Sequence, residues 1–277
     1  MANIPLCVPF SKKALAKRAG ARWDNLGKFW FCDDNLLTTH AYQGLKPFVP
    51  RMYRPDLEAP YIRPWMVPQT LWGKNLRAIL PKEQWDIVRR YAYAEAGMRC
   101  RVCGGRGQEW PVEADEAWDY DDERLLHTLR SVIALCPECH HIRHWGKSLI
   151  DGREEEVVAK MMAVNGWARG QVQSAADTAY ADWERRSRQT WTSDYSWVTR
   201  KHGFAIGDDA HSLAQAANIE LVAQAARRAS VDWYDNDGIS DPDIWLGEPT
   251  QFPEHSAQNS HKKQSWIENM KRWFGTK

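Results

Sequence analysis

The sequence predicts an α+β protein in three parts: a small N-terminal β-α-β-β domain, a central cysteine-paired metal finger, and a mainly helical C-terminal part. Three observations carry that prediction. The first 34 residues run from a strand-like IPLCVPF through a helix-like SKKALAKRAG to a hairpin-like ARWDNLGKFWFC. Two Cys-x-x-Cys pairs, Cys100/Cys103 and Cys136/Cys139, bracket two strand-like runs and lead into a histidine-rich helix. Past residue 150 the apolar residues return at helical spacing.

Taken in order, residues 1–45 form the first unit. Ser11 is placed to cap its helix and Gly20 to end it. Asn25-Leu26-Gly27 supplies a turn, after which Lys28, Trp30 and Cys32 alternate with Phe29 and Phe31. Within residues 11–30, Lys12, Lys13, Lys17, Arg18, Arg22 and Lys28 face a lone Asp24, so this piece is basic. Such a face either solvates a helix or meets a phosphate backbone. The run VPFSKKALAKRAGARWDNLGKFWF resembles a small domain of unknown function found in conjugative-plasmid proteins, plasmid primases among them. The resemblance implies a mobile-element setting and nucleic-acid contact, and it assigns no reaction.

Residues 46–80 read as a proline-rich linker or arm. Pro47, Pro50, Pro55, Pro60, Pro64 and Pro68 forbid a continuous helix or a central strand. Tyr53, Tyr61, Trp65 and Trp72 point to an ordered, wrapping arm. Pro81 opens a helix in which Trp85, Val88, Ala92 and Ala96 share helical spacing, and Gly97 closes it. The finger spans residues 81–150. A helical extension follows over 151–230, with helices at 153–165, 170–191 and 210–230. The 153–165 helix has an acidic start that suits its N-terminus. Arg185, Arg186 and Arg188 sit at the end of the 170–191 helix, as a macrodipole trim or as phosphate contacts. Residues 231–277 read as an irregular acidic segment closed by a short amphipathic helix, QSWIENMKRWF.

The formal net charge of +1 gives the whole chain no pull toward nucleic acid, so phosphate binding must come from local patches. Six cysteines, four of them clustered, do not make a secreted disulfide scaffold. No charged-then-apolar leader or membrane-length run is visible. The expectation is a cytoplasmic protein with reduced thiols and no membrane partner. Sixteen tryptophans imply broad buried aromatic surface, in cores or against another protein.

Paired knuckles at Cys100, Cys103, Cys136 and Cys139 are a strong sign of a structural Zn2+, because the ion wants four soft ligands in a tetrahedron. His140 follows Cys139 directly, and His144 lies one helical turn further on the same face. The four cysteines and this histidine pair resemble the His-Asn-His (HNH) endonucleases, a treble-clef or ββα-metal finger built from a hairpin and a helix. The wider run from Trp72 to about Asp194, including DWERRSRQTW, resembles bacterial HNH endonucleases as well. The resemblance implies metal-assisted hydrolysis of a DNA phosphodiester, with a first-strand histidine activating water.

Two positions depart from that family. Asp115 stands where its first-strand histidine is usual, with Glu113 and Glu116 beside it, and the middle asparagine position falls near Ser131. Asp115, His140 and His144 would still suit Mg2+ or Mn2+. Water activation would fall to Glu116 or His141, with His127 also spare. Lys12, Lys13, Lys17, Arg18, Arg22 and Arg143 are the expected nucleic-acid contacts. The alternative is a zinc-stapled binding factor of a mobile element, without catalysis, acting on nucleic acid or on another protein through its tryptophans. DNDGISDPD at 235–243 fails the ligand count of a calcium loop, because Trp233 and Ile244 would fall at its first and last positions.

Overall fold

The computed structural model describes residues 2–206. The helix expected over 210–230, the irregular 231–262 stretch with its Asp-rich loop, and the QSWIENMKRWF helix lie outside the described residues. Within 2–206 the protein is mixed α and β, with two small three-stranded sheets.

Strand β1 (Asn3–Leu6) leads through a single 3-10 turn at Phe10–Lys12 into helix α1 (Lys13–Arg18). Ser11 therefore lies inside the 3-10 turn rather than capping α1. The N-cap is Lys12, and no side chain caps the helix. Gly20, at φ +100°, makes the left-handed exit. Strands β2 (Arg22–Asp24) and β3 (Phe29–Asp33) pair as a hairpin, and the sheet order is β1-β3-β2, antiparallel throughout. Asp24 builds the turn by accepting from the Leu26 and Gly27 amides at 2.8 and 3.2 Å. The strands and α1 close on helix α2 (Tyr42–Leu45) around Ile4, Leu6, Ala16, Cys32, Leu45 and Phe48.

The proline-rich arm is ordered by backbone partners along its length. Arg51 and Met52 amides donate to the Arg101 and Val102 carbonyls of the first cysteine knuckle. Further on, Asn165 fastens Tyr61 and Ile62. Helix α3 (Leu76–Ile79) starts under the Asn75 side chain, which accepts from the Ala78 amide at 2.9 Å. Helix α4 (Lys82–Glu95) follows Pro81 and stops at Gly97, where φ is +56°. A Cβ at Gly97 would sit 2.4 Å from the Val8 carbonyl oxygen, so only glycine lets the N-terminal domain dock here.

The centre is a long hairpin, β4 (Glu113–Asp121) and β5 (Leu126–Leu135), followed by helices α5 (Pro137–Arg143), α6 (Trp145–Ile150), α7 (Glu154–Asn165) and α8 (Arg169–Arg186). A register shift at Ala117/Trp118 leaves Arg130 as the extra residue of a bulge. Side-chain alternation gives the hairpin two faces. Ala117, Ile133 and Leu135 pack with Ile142, Trp145, Val157 and Met161. Trp118, Leu129 and Val132 pack with Leu76, Val88 and Ala92 on the other side.

Helix α8 ends at Arg186, short of the expected 191. Trp191 is buried, and its indole N–H donates to the Arg186 carbonyl at 2.9 Å. The chain then adds a third strand, β6 (Thr192–Asp194), parallel to β5, before helix α9 (Ser196–His202). Among the described residues no helix is long and apolar enough to cross a membrane.

Candidate metal centres

The end of α4 delivers Cys100 and Cys103, and the start of α5 delivers Cys136 and Cys139. All four are buried and unbridged. Cys103 Sγ lies 3.6 Å from Cys136 Sγ and 3.7 Å from Cys139 Sγ, and the four sulfurs fall within 4.8 Å of one another. Four thiolates around an ion such as zinc, at about 2.3 Å each, would be about 3.8 Å apart. The donor set and spacing therefore fit such an ion. Sulfurs packed this closely ionise unequally. Bonds from the neighbouring sulfurs hold the Cys103 and Cys136 thiols below their usual range, whereas burial and those same bonds push Cys100 and Cys139 well above it. Burial draws Lys160 down, but the Cys103, Cys139 and Cys136 sulfurs and Glu138 outweigh it and hold the ammonium charged beside the cluster.

One face of the hairpin and one face of α5 form a second cluster. Asp115, on β4, meets His140 and His144, one helical turn apart. The two imidazoles turn their Nε2 atoms toward each other at 3.0 Å, and His144 Nε2 is 3.9 Å from Asp115 Oδ1. Two nitrogens about 2.1 Å from a shared ion would be separated by about 3.0–3.4 Å. Glu113, two residues before Asp115 and on the same face, binds His140 Nδ1. That bond holds the Glu113 carboxyl below its ordinary range. It also fixes the proton on Nδ1 and frees Nε2 as a ligand atom, the way carboxylates orient metal-bound histidines. Desolvation on its cluster side, followed by the adjacent His140, lowers the His144 pKa, although half of the side chain is exposed.

Asp115, His140 and His144 thus converge, but the other expected site residues do not join them. Glu116 points to the opposite face of β4, where it accepts from the Leu76 amide at 2.8 Å and the Trp118 indole at 2.9 Å. His141 lies on the far side of α5 beside Glu156 and Arg153. His127 is buried between the Trp118 and Tyr120 rings, at 3.9 and 4.6 Å, and burial drives its pKa down to about 3.

Arg143 requires a correction. It was expected at a nucleic-acid surface, yet its side chain is 2% exposed, and its Nε donates to Asp115 Oδ2 at 2.9 Å. A guanidinium this deep serves its own carboxylate, not a passing phosphate. The N-terminal cations remain mostly outward. Lys13, Lys17, Arg18 and Arg22 are exposed, whereas Lys12 is half-buried and approaches Glu95 at 3.9 Å. Arg22 also binds Asp33 and covers the Phe31 ring. At the end of α8, Arg185 and Arg186 both clamp Asp122, and Arg188 pairs with Glu184. Sequence reasoning left Glu113 without a role, although its i−2 spacing from Asp115 was a usable signal for a shared strand face.

Glu116 gives a pH prediction. Burial pushes its carboxyl up from 4.5 to about 7, against the two donors it accepts from. The folded protein holds this proton more tightly than the unfolded chain does. Its contribution is therefore complete below about pH 4.5 and lost as the pH climbs through about 7. Urea unfolding is expected to show wild type losing about 1–3 kcal/mol relative to Glu116→Gln from about pH 5 to about pH 8, because the opposite slope of the buried His127 and of His144 is common to both proteins. A stability difference that stays constant with pH would assign the dependence to other groups.

Residues 4–41 match the family model described as Domain of unknown function (DUF5710). No curated protein matches the chain, and neither does any solved structure. The class that fold and site define is a mixed α and β protein with a buried four-cysteine cluster able to hold a metal.

Proposed function

We propose that the protein is a metal-dependent DNA endonuclease of the HNH type, with weakened catalysis. The convergence of Asp115, His140 and His144 beside the four-cysteine cluster carries this reading. Zinc in the tetrathiolate would staple the knuckle after α4 to the start of α5, and Mg2+ or Mn2+ would be held by Asp115 and the two imidazoles. The ion, when bound, neutralises charge on the scissile phosphate and eases deprotonation of water. Glu113 keeps His140 oriented, and buried Arg143 keeps Asp115 oriented. Glu116 and His141 are not aimed at the cluster, so neither takes the place of the family's first-strand histidine. A missing general base costs about 10²–10⁴ in rate, which is why slow turnover is expected. The exposed cations of α1 would add contact to the DNA backbone, and the matched domain fits a mobile-element setting.

Supercoiled plasmid incubated with Mg2+, Mn2+ or Ni2+ is expected to be nicked slowly, and His140→Ala is expected to abolish the nicking. The inward ion pair of Arg143 with Asp115 favours a second reading, a zinc-stapled factor that binds nucleic acid or protein without cutting. One bound zinc per chain with no nicking under any of the three metals would establish that reading over the first.

A further inference from the structure

We infer that Trp65, in the proline-rich arm, is a positioning residue for the Asp115–His140–His144 cluster and acts through Arg143. The inference rests on the reading of that cluster as a metal site.

The arm is pinned on both sides of Trp65. Before it, Asn165 Oδ1 accepts from the Tyr61 and Ile62 amides at 2.8 and 3.2 Å, and Asn165 Nδ2 donates to the Ile62 carbonyl at 2.8 Å. After it, the Val67 carbonyl accepts from the Trp72 and Trp183 indoles at 3.0 and 3.1 Å. The Trp65 backbone is therefore held in place whatever its side chain does. Trp65 Nε1 finds no hydrogen-bond partner among the described residues, so the ring contributes its face.

On that face lies the Arg143 guanidinium, 4.6 Å from the ring centroid. Behind Trp65 the rings continue inward through Tyr120 at 5.3 Å, His127 and Trp118, which backs the indole with a rigid stack. Arg143 makes one charged bond, Nε to Asp115 Oδ2, while its Nη2 has no partner among the described residues. One bond alone leaves a guanidinium free to swing, and stacking on an aromatic face removes that freedom. With Oδ2 engaged, Oδ1 is the Asp115 oxygen that faces His144 Nε2. The arm thereby sets which carboxylate oxygen is offered to an ion. Removing Arg143 itself would change charge and geometry together. Changing Trp65 leaves the charge in place and alters geometry alone.

The test is Mn2+ titration of zinc-loaded full-length protein, read by the EPR signal of free Mn2+, with zinc content and melting temperature recorded for every variant. Wild type is expected to bind one Mn2+ that His140→Ala loses. Trp65→Leu is expected to weaken Mn2+ about tenfold with zinc content unchanged, as loss of a ligand's supporting partner does. Trp65→Phe keeps an aromatic face and is expected to stay within about threefold of wild type. If Trp65→Leu does not fold, Arg143→Lys replaces it, because lysine keeps the charge but has no plane to stack, and the same weakening is expected. Wild-type affinity in Trp65→Leu or Arg143→Lys, or equal losses in Trp65→Leu and Trp65→Phe, overturns the positioning role while the metal site stands. No Mn2+ uptake by wild type, or uptake that survives His140→Ala, overturns the site and the inference with it.

Discussion

Cys139→Ser is expected to abolish the cooperative unfolding transition of the described region, and strong chelation of the wild-type protein should do the same. The expected scale follows from two magnitudes. A structural tetrathiolate zinc binds with about 10–16 kcal/mol of apparent free energy. A domain's whole stability is about 5–15 kcal/mol. The four cysteines join the end of α4 to the start of α5, and the core around Val102, Leu135 and Ile142 packs directly on them. Without an ion, four buried sulfurs that fall within 4.8 Å of one another would have no shared partner. Metal content, near-ultraviolet circular dichroism from the tryptophans and a thermal scan together read the effect. A chelated protein that melts as the untreated one does would remove the metal from the account of this fold.

Arg143→Ala carries the second largest expected effect. Its side chain is 2% exposed and that of Asp115 is 6% exposed, so truncation would strand a buried carboxylate. Breaking one partner of a buried ion pair costs about 3–5 kcal/mol, more than the net worth of the pair itself. Denaturant unfolding of Arg143→Ala is expected to show a loss of that size. The double variant Arg143→Leu with Asp115→Leu is expected to recover most of it, because no charge remains to be stranded. A double variant no more stable than Arg143→Ala would show that packing, not charge, dominates at this position.

The two side-chain clusters that could hold a metal were largely legible in the sequence, for local reasons. Paired Cys-x-x-Cys spacing, and histidines one helical turn apart, are patterns a short window contains. Helix α4 was legible through Pro81, its apolar spacing and Gly97. What stayed hidden depends on which way a strand faces or on distant chain. The orientation of Glu116 follows from alternation along β4, and that can be read only once the strand is anchored by its neighbours. Arg143 looked like a phosphate contact because a basic residue at a helix end is usually outward. Its burial is set by Asp115, on β4, and by Trp65, in the arm. Strand β6 is three residues long and pairs parallel with a strand more than sixty residues earlier, so nothing in TSD itself announces it. Ser11 failed as a cap because Pro9 leads into a 3-10 turn first.

The seam between the N-terminal sheet domain and the first knuckle has a practical bearing. The Cys7 thiol donates to the Cys100 carbonyl at 3.4 Å, and Gly104 lies so close to Pro5 and Pro50 that even a methyl would collide. The segment matching the DUF5710 model is therefore no detachable bead. Excising it would strip cover from the first cysteine knuckle. Transplanting it elsewhere would bare an apolar underside that its present host conceals, so redesign by module exchange must carry both halves together.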